Sequence, residues 1–310
     1  MVIPSRDRPR LVLRAVKSVL TQAYEAVEVI VVVDGPDEVT VRELRQIKDP
    51  RLRIVALPTW VGAAEARNVG VERARGKWIA FLDDDDEWLP NKLTVQTRVA
   101  RSSPYAIPVV TSRFIARMQR GDFVLPERVM DPSEPVSEYL FTRQSLWKRE
   151  GTIATSMLLT KKALCEKVPF RRNAWIHEDW EWLLQVSTMR GVGIEFVPEA
   201  LVVRDMKEDR RSLSNSQSWK RSLKWIQLNQ NLVTPRAYAG FIAILASPLA
   251  AREGDWKALW PLLREIVGVG RPGATELVLF FQMWLIPRKV RRWLRAFVAR
   301  GRRIRTPSTP

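Results

Sequence analysis

Trp78-Ile79-Ala80-Phe81-Leu82-Asp83-Asp84-Asp85-Asp86 runs five apolar residues straight into four carboxylates. The apolar part has the length and composition of a short buried strand. Four adjacent carboxylates repel one another and cost stability unless a cation or hydrogen-bond donors neutralise them. An acidic run on a surface is ordinarily a solvated face. This one starts where a buried strand stops, which places it at the mouth of a sheet. Solvation explains it poorly there, and a metal role explains it better. Mg2+ is commonly held by one or two carboxylates plus substrate phosphates, and such an ion would neutralise a diphosphate leaving group.

Strand and helix signals alternate on the N-terminal side of this run. Val2 and Ile3 are the stub of a strand. Pro9 opens an amphipathic helix with Val12, Val16, Val19 and Leu20 on one face. Residues 27–33 are a β-branched run ending in Asp34-Gly35-Pro36, a buried strand and then a turn. Residues 51–57 repeat the strand signal, and 62–73 are alanine-rich and helical. Alternation of this kind predicts a parallel sheet in an α/β domain, with the ligand beyond the carboxyl ends of the strands. Asp34 and Asp83 both follow such strands directly.

On the C-terminal side, residues 104–150 are proline-rich and predict loops that shape a substrate cleft. Residues 153–159 predict a strand. Residues 179–189 predict a helix with Trp182, Leu183 and Val186 on one face, and 191–203 a loop and a strand. Composition shifts near 215. Residues 219–232 alternate charge and aromatic side chains, 238–251 are apolar but interrupted at Pro248, and 277–286 are apolar except for Gln282. Arg288, Lys289, Arg291, Arg292, Arg295, Arg300, Arg302, Arg303 and Arg305 follow, with no acid among them. The expected organisation is a catalytic domain over 1–214 and a helical, basic extension over 215–310.

Composition narrows the chemistry. The chain has 310 residues, 46% of them apolar, enough for a real core. Its single cysteine, Cys165, allows no intrachain disulfide, fits a reducing compartment and reads as a small core residue. Its single histidine, His177, excludes histidine-rich metal sites. A metal here must therefore rest on carboxylates, which favours Mn2+ or Mg2+. The net charge of +17 predicts an anionic partner: nucleic acid, acidic lipid or a phosphorylated substrate. The first residues hold no apolar signal-peptide core, and no uninterrupted apolar run reaches the roughly 18 residues of a membrane span.

Four stretches in order resemble the successive motifs of family 2 glycosyltransferases: Val2-Ile3-Pro4-Ser5-Arg6-Asp7-Arg8-Pro9, Val31-Val32-Val33-Asp34-Gly35, Ala63-Ala64-Glu65-Ala66-Arg67-Asn68-Val69-Gly70 and Phe81-Leu82-Asp83-Asp84-Asp85-Asp86. His177-Glu178-Asp179-Trp180-Glu181 is similar to the family's later Glu-Asp motif. The resemblance covers roughly residues 1–210. It implies a GT-A fold and inverting transfer from a nucleoside-diphosphate sugar to an acceptor hydroxyl. It also implies residue roles. Asp34 would contact the nucleotide base, with Ser5 and Arg6 in the loop beside it. Arg67 would hold the nucleotide end of the donor. Asp83 would lie near the ribose and Asp85 on the metal. Asp179 would be the catalytic base. Four consecutive aspartates blur the Asp-x-Asp register, so Asp84 or Asp86 could share the work. The chain departs from the family in its very short first strand. It also lacks the Gln-x-x-Arg-Trp motif of processive members, since Arg291-Arg292-Trp293 has no matching Gln. Addition of a single sugar is expected.

Each residue also has a plainer reading. Asp34 suits a turn before Gly35, and Arg67 and Asn68 suit a solvated helix face. Asp179 suits the N-terminal turn of a helix, where the dipole favours an acid. His177 would orient an acceptor or stack among Trp175, Trp180 and Trp182, and those tryptophans would form a sugar-stacking wall or pack in the core. The basic tail suits peripheral attachment to the anionic inner face of a membrane, bringing a cytoplasmic enzyme to a lipid-linked acceptor. It equally suits a helical cap with a solvated end. A nucleic-acid-binding protein is the alternative in another class. The terminal clustering of the arginines and the lack of helix-turn-helix, zinc or RNP signatures argue against it, so no nucleic acid is expected. Nucleotidyl transfer on a similar fold usually begins with a glycine-rich phosphate loop, and residues 1–10 contain no glycine. Polysaccharide or glycolipid assembly is the expected setting.

Overall fold

The computed structural model describes residues 1–119, 121–146, 148, 150–172, 176–206, 218–286 and 290–291. The chain forms two compact units, one of Met1–Arg117 with Ile153–Met206, the other of Met118–Thr152 with the residues after Met206. The division expected from sequence grouped 118–152 with the first hundred residues. The chain instead leaves the first unit at 117 and re-enters it at 153. The composition shift near 215 marks only the second departure, and that boundary lies outside the described residues.

The first unit opens with β1 (Val2–Ser5), α1 (Pro9–Leu20), β2 (Val29–Val33), α2 (Glu38–Arg45), β3 (Leu52–Ala56), α3 (Ala63–Arg73), β4 (Trp78–Ala80), β5 (Asp86–Trp88), α4 (Lys92–Ser102) and β6 (Ile107–Met118). Strand β7 (Gly121–Leu125) and helix α5 (Val136–Phe141) follow in the second unit. The first unit then resumes with β8 (Leu159–Lys161), α6 (Lys162–Lys167), α7 (Glu178–Ser187) and β9 (Val192–Asp205). Strands β1, β2 and β3 form a parallel sheet in that order, with Val2 opposite Ile30 and Val31 opposite Ile54. Every residue of β1 and β2 is buried, as expected of parallel strands covered on both faces. A parallel bridge between Val2 and Phe81 carries the pattern toward the acidic run. Helix α1 buries Val12, Ala15, Val16 and Val19, each valine worth about 1.5–3 kcal/mol relative to exposure. Helix α3 lies close against β1, because a Cβ on Gly70 would sit 2.3 Å from the Val2 side chain.

A second sheet runs β4-β8-β6-β9-β5. Along that order β6 pairs β9 in parallel, and the β4–β8, β8–β6 and β9–β5 pairings are antiparallel. Two expectations change here. Residues 104–150 are not all loop, since β6 is a long central strand. Pro108 stands near its start, Pro108–Ser112 are all buried, and burial alternates only from Ser112 to Arg117. Residues 153–159 are not a continuous strand. The chain makes a tight turn at Thr155–Met157 before β8, and that turn turns hydroxyls toward the acidic run.

After residue 217 the second unit is helical: α8 (Trp219–Leu228), α9 (Pro235–Phe241), α10 (Ser247–Glu253), α11 (Leu259–Gly268) and α12 (Ala274–Leu285). The apolar run at Pro248 is not broken. A π-helical turn at Ile242–Ala246 links α9 to α10, with Pro248 in the first turn of α10, where a missing amide donor is least harmful.

Candidate active site

The four aspartates alternate. Side-chain exposure is 24% and 30% at Asp83 and Asp85, but 8% and 4% at Asp84 and Asp86. Exposure thus alternates along the run: Asp83 and Asp85 keep part of their side chains in water while Asp84 and Asp86 are buried.

The inward pair is structural in its contacts. Ser5 Oγ donates to Asp84 Oδ2 at 2.9 Å, and Arg8 Nη1 to Asp84 Oδ1 at 3.1 Å. Burial pushes the Asp84 carboxyl up to about 6, opposed by Arg8 and reinforced by the charge of Asp85. Asp86 opens β5 and accepts from Ser156 Oγ at 2.6 Å and from Arg204 Nε at 3.1 Å. Burial pushes it up to about 7, with Arg204 opposing and Asp83 and Asp85 adding.

The outward pair meets cations. Arg67, on α3, is itself buried. It donates from Nη2 to Asp83 Oδ1 at 2.8 Å and from Nη1 to Glu178 Oε1 at 3.0 Å, with its guanidinium 5.6 Å from the Phe170 ring. Thr155 Oγ1 adds a bond to Asp83 Oδ1 at 3.1 Å. Burial works against ionisation of Asp83, but Arg67 and Arg204 outweigh it and hold the carboxyl below its ordinary range. The solvated-face reading of Arg67 therefore fails. Asn68 is buried too, bonded to the Phe170 backbone through both its amide oxygen and its nitrogen. Asp85 is the most exposed of the four. Arg8 lies 3.5 Å away, and Arg14 Nη2 donates to the Asp85 carbonyl at 2.9 Å.

Asp179 sits in the first turn of α7, half-buried, accepting from the Trp180 backbone N–H at 2.8 Å. Burial and then the neighbouring Glu178 push its carboxyl up to about 7, against the pull of Arg67. His177 caps that helix in a left-handed conformation, stacked 4.9 Å from Trp180, and burial lowers it to about 4. Trp182 is core, stacked on Phe170 and bonded to the Val168 carbonyl. Trp175 lies outside the described residues. Cys165 is buried.

Asp34 has a definite job in the fold. Its Oδ1 accepts from the Val61 N–H at 2.7 Å and its Oδ2 from the Gly62 N–H at 2.9 Å. Gly62 has φ +87°, a conformation suited to glycine. The carboxylate thus ties the end of β2 to the start of α3. Arg6 is exposed on the same side, its guanidinium 4.9 Å from the ring of Trp60, an exposed indole beside the Asp34-Gly35 turn.

Two residues of the site, Arg8 and Glu178, lie in the quoted motifs without a role assigned there, and three more lie outside them. Arg8, Thr155, Ser156, Glu178 and Arg204 all bond members of the cluster. Arg204 had a usable signal: like Asp34 and Asp83, it is a charge directly after a buried apolar run, Leu201-Val202-Val203. Among the described residues no three His, Cys, Asp or Glu side chains converge as a metal cluster. A divalent ion would draw on Asp85, the most exposed of the four carboxylates, and on Asp83, with phosphate oxygens completing the shell. That donor set fits Mg2+ or Mn2+.

A parallel α/β sheet with this paired cluster at its carboxyl edge is the framework of a GT-A-type glycosyltransferase. Glycosyl transferase family 2 matches residues 1–168, more than half of the chain, and the chain belongs to that family. The succinoglycan biosynthesis protein ExoO of Rhizobium meliloti (strain 1021) is 40% identical over 92 residues, which are 30% of this chain and 26% of that protein. The UDP-Glc:alpha-D-GlcNAc-diphosphoundecaprenol beta-1,3-glucosyltransferase WfgD of Escherichia coli is 23% identical over 76% of this chain and 87% of its own. Among solved structures, the mannosyltransferase PcManGT of Pyrobaculum calidifontis, in complex with GDP-Man and Mn2+, superposes with a TM-score of 0.58 at 17% identity, covering 96% of this chain and 83% of that one. No helix among the described residues is long and apolar enough to cross a membrane.

Proposed function

We propose that the protein transfers a single sugar from a nucleoside-diphosphate donor to an acceptor hydroxyl, with inversion at the anomeric carbon. The observation that carries this reading is the alternation of the aspartates. It leaves Asp83 and Asp85 partly exposed while Arg67 links Asp83 to Glu178, the residue beside Asp179. Trp60 and Arg6 offer a flat, cationic platform for the base and Asp34 holds the loop beneath it. Arg67 and Asp83 orient the nucleotide end of the donor. A divalent ion on Asp85, Mn2+ or Mg2+, would supply charge neutralisation at the diphosphate.

Asp179 takes the proton of the acceptor hydroxyl as its oxygen bonds to the anomeric carbon. The bond from that carbon to the diphosphate oxygen breaks, and the nucleoside diphosphate leaves carrying the electron pair. A carboxyl raised to about 7 holds a proton better than an ordinary aspartate, which suits a general base near neutral pH. The relative that acts on a diphosphoundecaprenol-linked sugar supports a saccharide or lipid-linked acceptor and a role in polysaccharide assembly. Attachment to a cytoplasmic membrane face through the basic tail belongs to the same reading. Residues 288–289 and 292–310 of that tail lie outside the described residues.

The test is hydrolysis of a panel of nucleotide sugars by the wild type, Asp85→Ala and Asp179→Asn, each with Mn2+, Mg2+ or chelator. Asp85→Ala should lose metal-dependent turnover. Asp179→Asn should lose roughly 100-fold or more in rate while still binding nucleotide. Absence of any metal-dependent nucleotide binding by the wild type would refute the reading.

A further inference from the structure

Helix α12 is apolar on both sides. Its inner side buries Leu279, Phe280, Met283 and Trp284. Its outer side carries Ala274, Val278, Phe281 and Leu285 at i, i+4, i+7 and i+11, one continuous stripe, all exposed. Val278 is 47% exposed, Phe281 39% and Leu285 74%. A helix facing water on one side normally puts polar residues there, and Gln282, half-exposed, is the one polar side chain in the helix's last two turns. Trp256, in contact with Trp284 of this helix at 5.5 Å, is 60% exposed, and Trp260 on α11 is 67% exposed.

The exposed charges of these segments are mostly positive. Lys257, Arg264 and Arg271 are exposed. Arg291 donates to the Gln282 carbonyl at 3.2 Å, at the C-terminal end of α12. Arg252 is exposed as well, against one exposed acid, Glu253, and three further acids follow it among the described residues. All three acids are engaged: Asp255 with the Trp219 indole, Glu265 with Tyr238 and Gln227, and Glu276 with the Gly273 amide. Exposed tryptophans and an exposed apolar stripe on neighbouring, mostly cationic helical segments match the chemistry of a bilayer interface, where indoles sit at headgroup depth and cations meet anionic lipid.

We infer that the outer face of α12, with Trp256 and Trp260, docks on an anionic lipid surface, the helix lying in the plane of the interface. At about 18 Å for its 12 residues it is too short to span the hydrocarbon core of about 30 Å. This inference does not rest on the catalytic reading, and it goes beyond charge attraction by the tail because it names an apolar insertion face.

Co-sedimentation of the full-length protein with vesicles of phosphatidylglycerol and phosphatidylcholine tests it. The wild type should bind, and Phe281→Ser/Leu285→Ser should bind at least about tenfold more weakly with an unchanged thermal melt. In parallel, brominated lipid should quench wild-type tryptophan fluorescence, and Trp260→Phe should reduce that quenching, a readout that survives if the double variant folds poorly. Equal vesicle binding by wild type and double variant would overturn the inference and leave the arginines as the whole attachment. A wild type that stays monomeric and off the vesicles would overturn it in favour of cover by residues 292–310. A wild-type dimer that ignores vesicles and is dissolved by Leu285→Ser would assign the face to a second copy of the chain.

Discussion

At the carboxyl edge of the first unit's strands, Arg67, Asp83, Asp84, Asp86 and Arg204 are charged side chains largely withdrawn from water and held by one another. Along α12 in the second unit, Val278, Phe281 and Leu285 are apolar side chains left in water. Both regions reverse the usual partition of residues, but they are supported in opposite ways. Withdrawing an ion costs several kcal/mol unless a partner and hydrogen bonds offset it, so every member of the first cluster depends on the others. Exposing an apolar side chain forgoes only about 25 cal/mol per Å2, and the fold does not lean on residues it leaves outside. A change of polarity should therefore be expensive in the first region and cheap in the second.

The largest effect on stability is expected at Arg67. Arg67→Met keeps much of the side-chain volume but removes the cation that holds Asp83 and Glu178. Two carboxylates, each about three-quarters buried, would face one another beside Asp179. The expected loss is about 3 kcal/mol of unfolding free energy, read from urea denaturation at pH 7. A variant as stable as wild type would show that Arg204 and Arg8 alone neutralise the run, and the contrast between the two regions would weaken.

A smaller effect, with a sign set by pH, is expected at Asp179. Its carboxyl is raised from 3.8 to about 7 by burial and by Glu178. Such a group contributes its full stability below the unfolded value, and that contribution is lost as pH rises through the folded value. Asn has no proton to lose. Asp179→Asn should match wild type near pH 4 and become progressively more stable than it between about pH 5 and 8, by about 1–2 kcal/mol at the upper end. Taking the difference between the two proteins removes the opposing contribution of His177, which is lowered to about 4. A constant difference across that range would mean Asp179 titrates as an ordinary surface acid, and its assignment as base would lose its physical support.

These two residues also show how far the sequence could be read. The parallel strands were legible because burial on both faces demands unbroken β-branched runs, as at Val29–Val33. Helices α1 and α3 were legible from period and composition. The acidic run announced itself because charge directly after a buried strand is hard to explain otherwise. Arg67 was placed on its helix, yet its burial was invisible, since that depends on Asp83 and Glu178 arriving from 16 and 111 residues away. Asp179 lies beyond the residues the family matches, and its raised carboxyl comes from what folds around it. Strand β6 was hidden by Pro108 in a proline-rich stretch, because a local breaker signal says nothing about the strands that flank it. The departure from the first unit at 117 and the return at 153 leave no local mark, unlike the composition shift near 215.

The smallest effect is expected where the molecule breaks the rule most visibly. Leu285 is 74% exposed and sits in the last turn of α12. Leu285→Ser removes little buried surface and exchanges a good helix former for a modest one at the end of the helix, where propensity counts least. Unfolding free energy should change by no more than about 0.5 kcal/mol, measured by the same urea denaturation. An unchanged stability would fit a stripe that serves a contact outside the folded chain. A loss of about 2 kcal/mol or more would instead mean that Leu285 is packed in solution. The stripe would then belong to the second unit's own core, and the two regions would differ in degree rather than in kind.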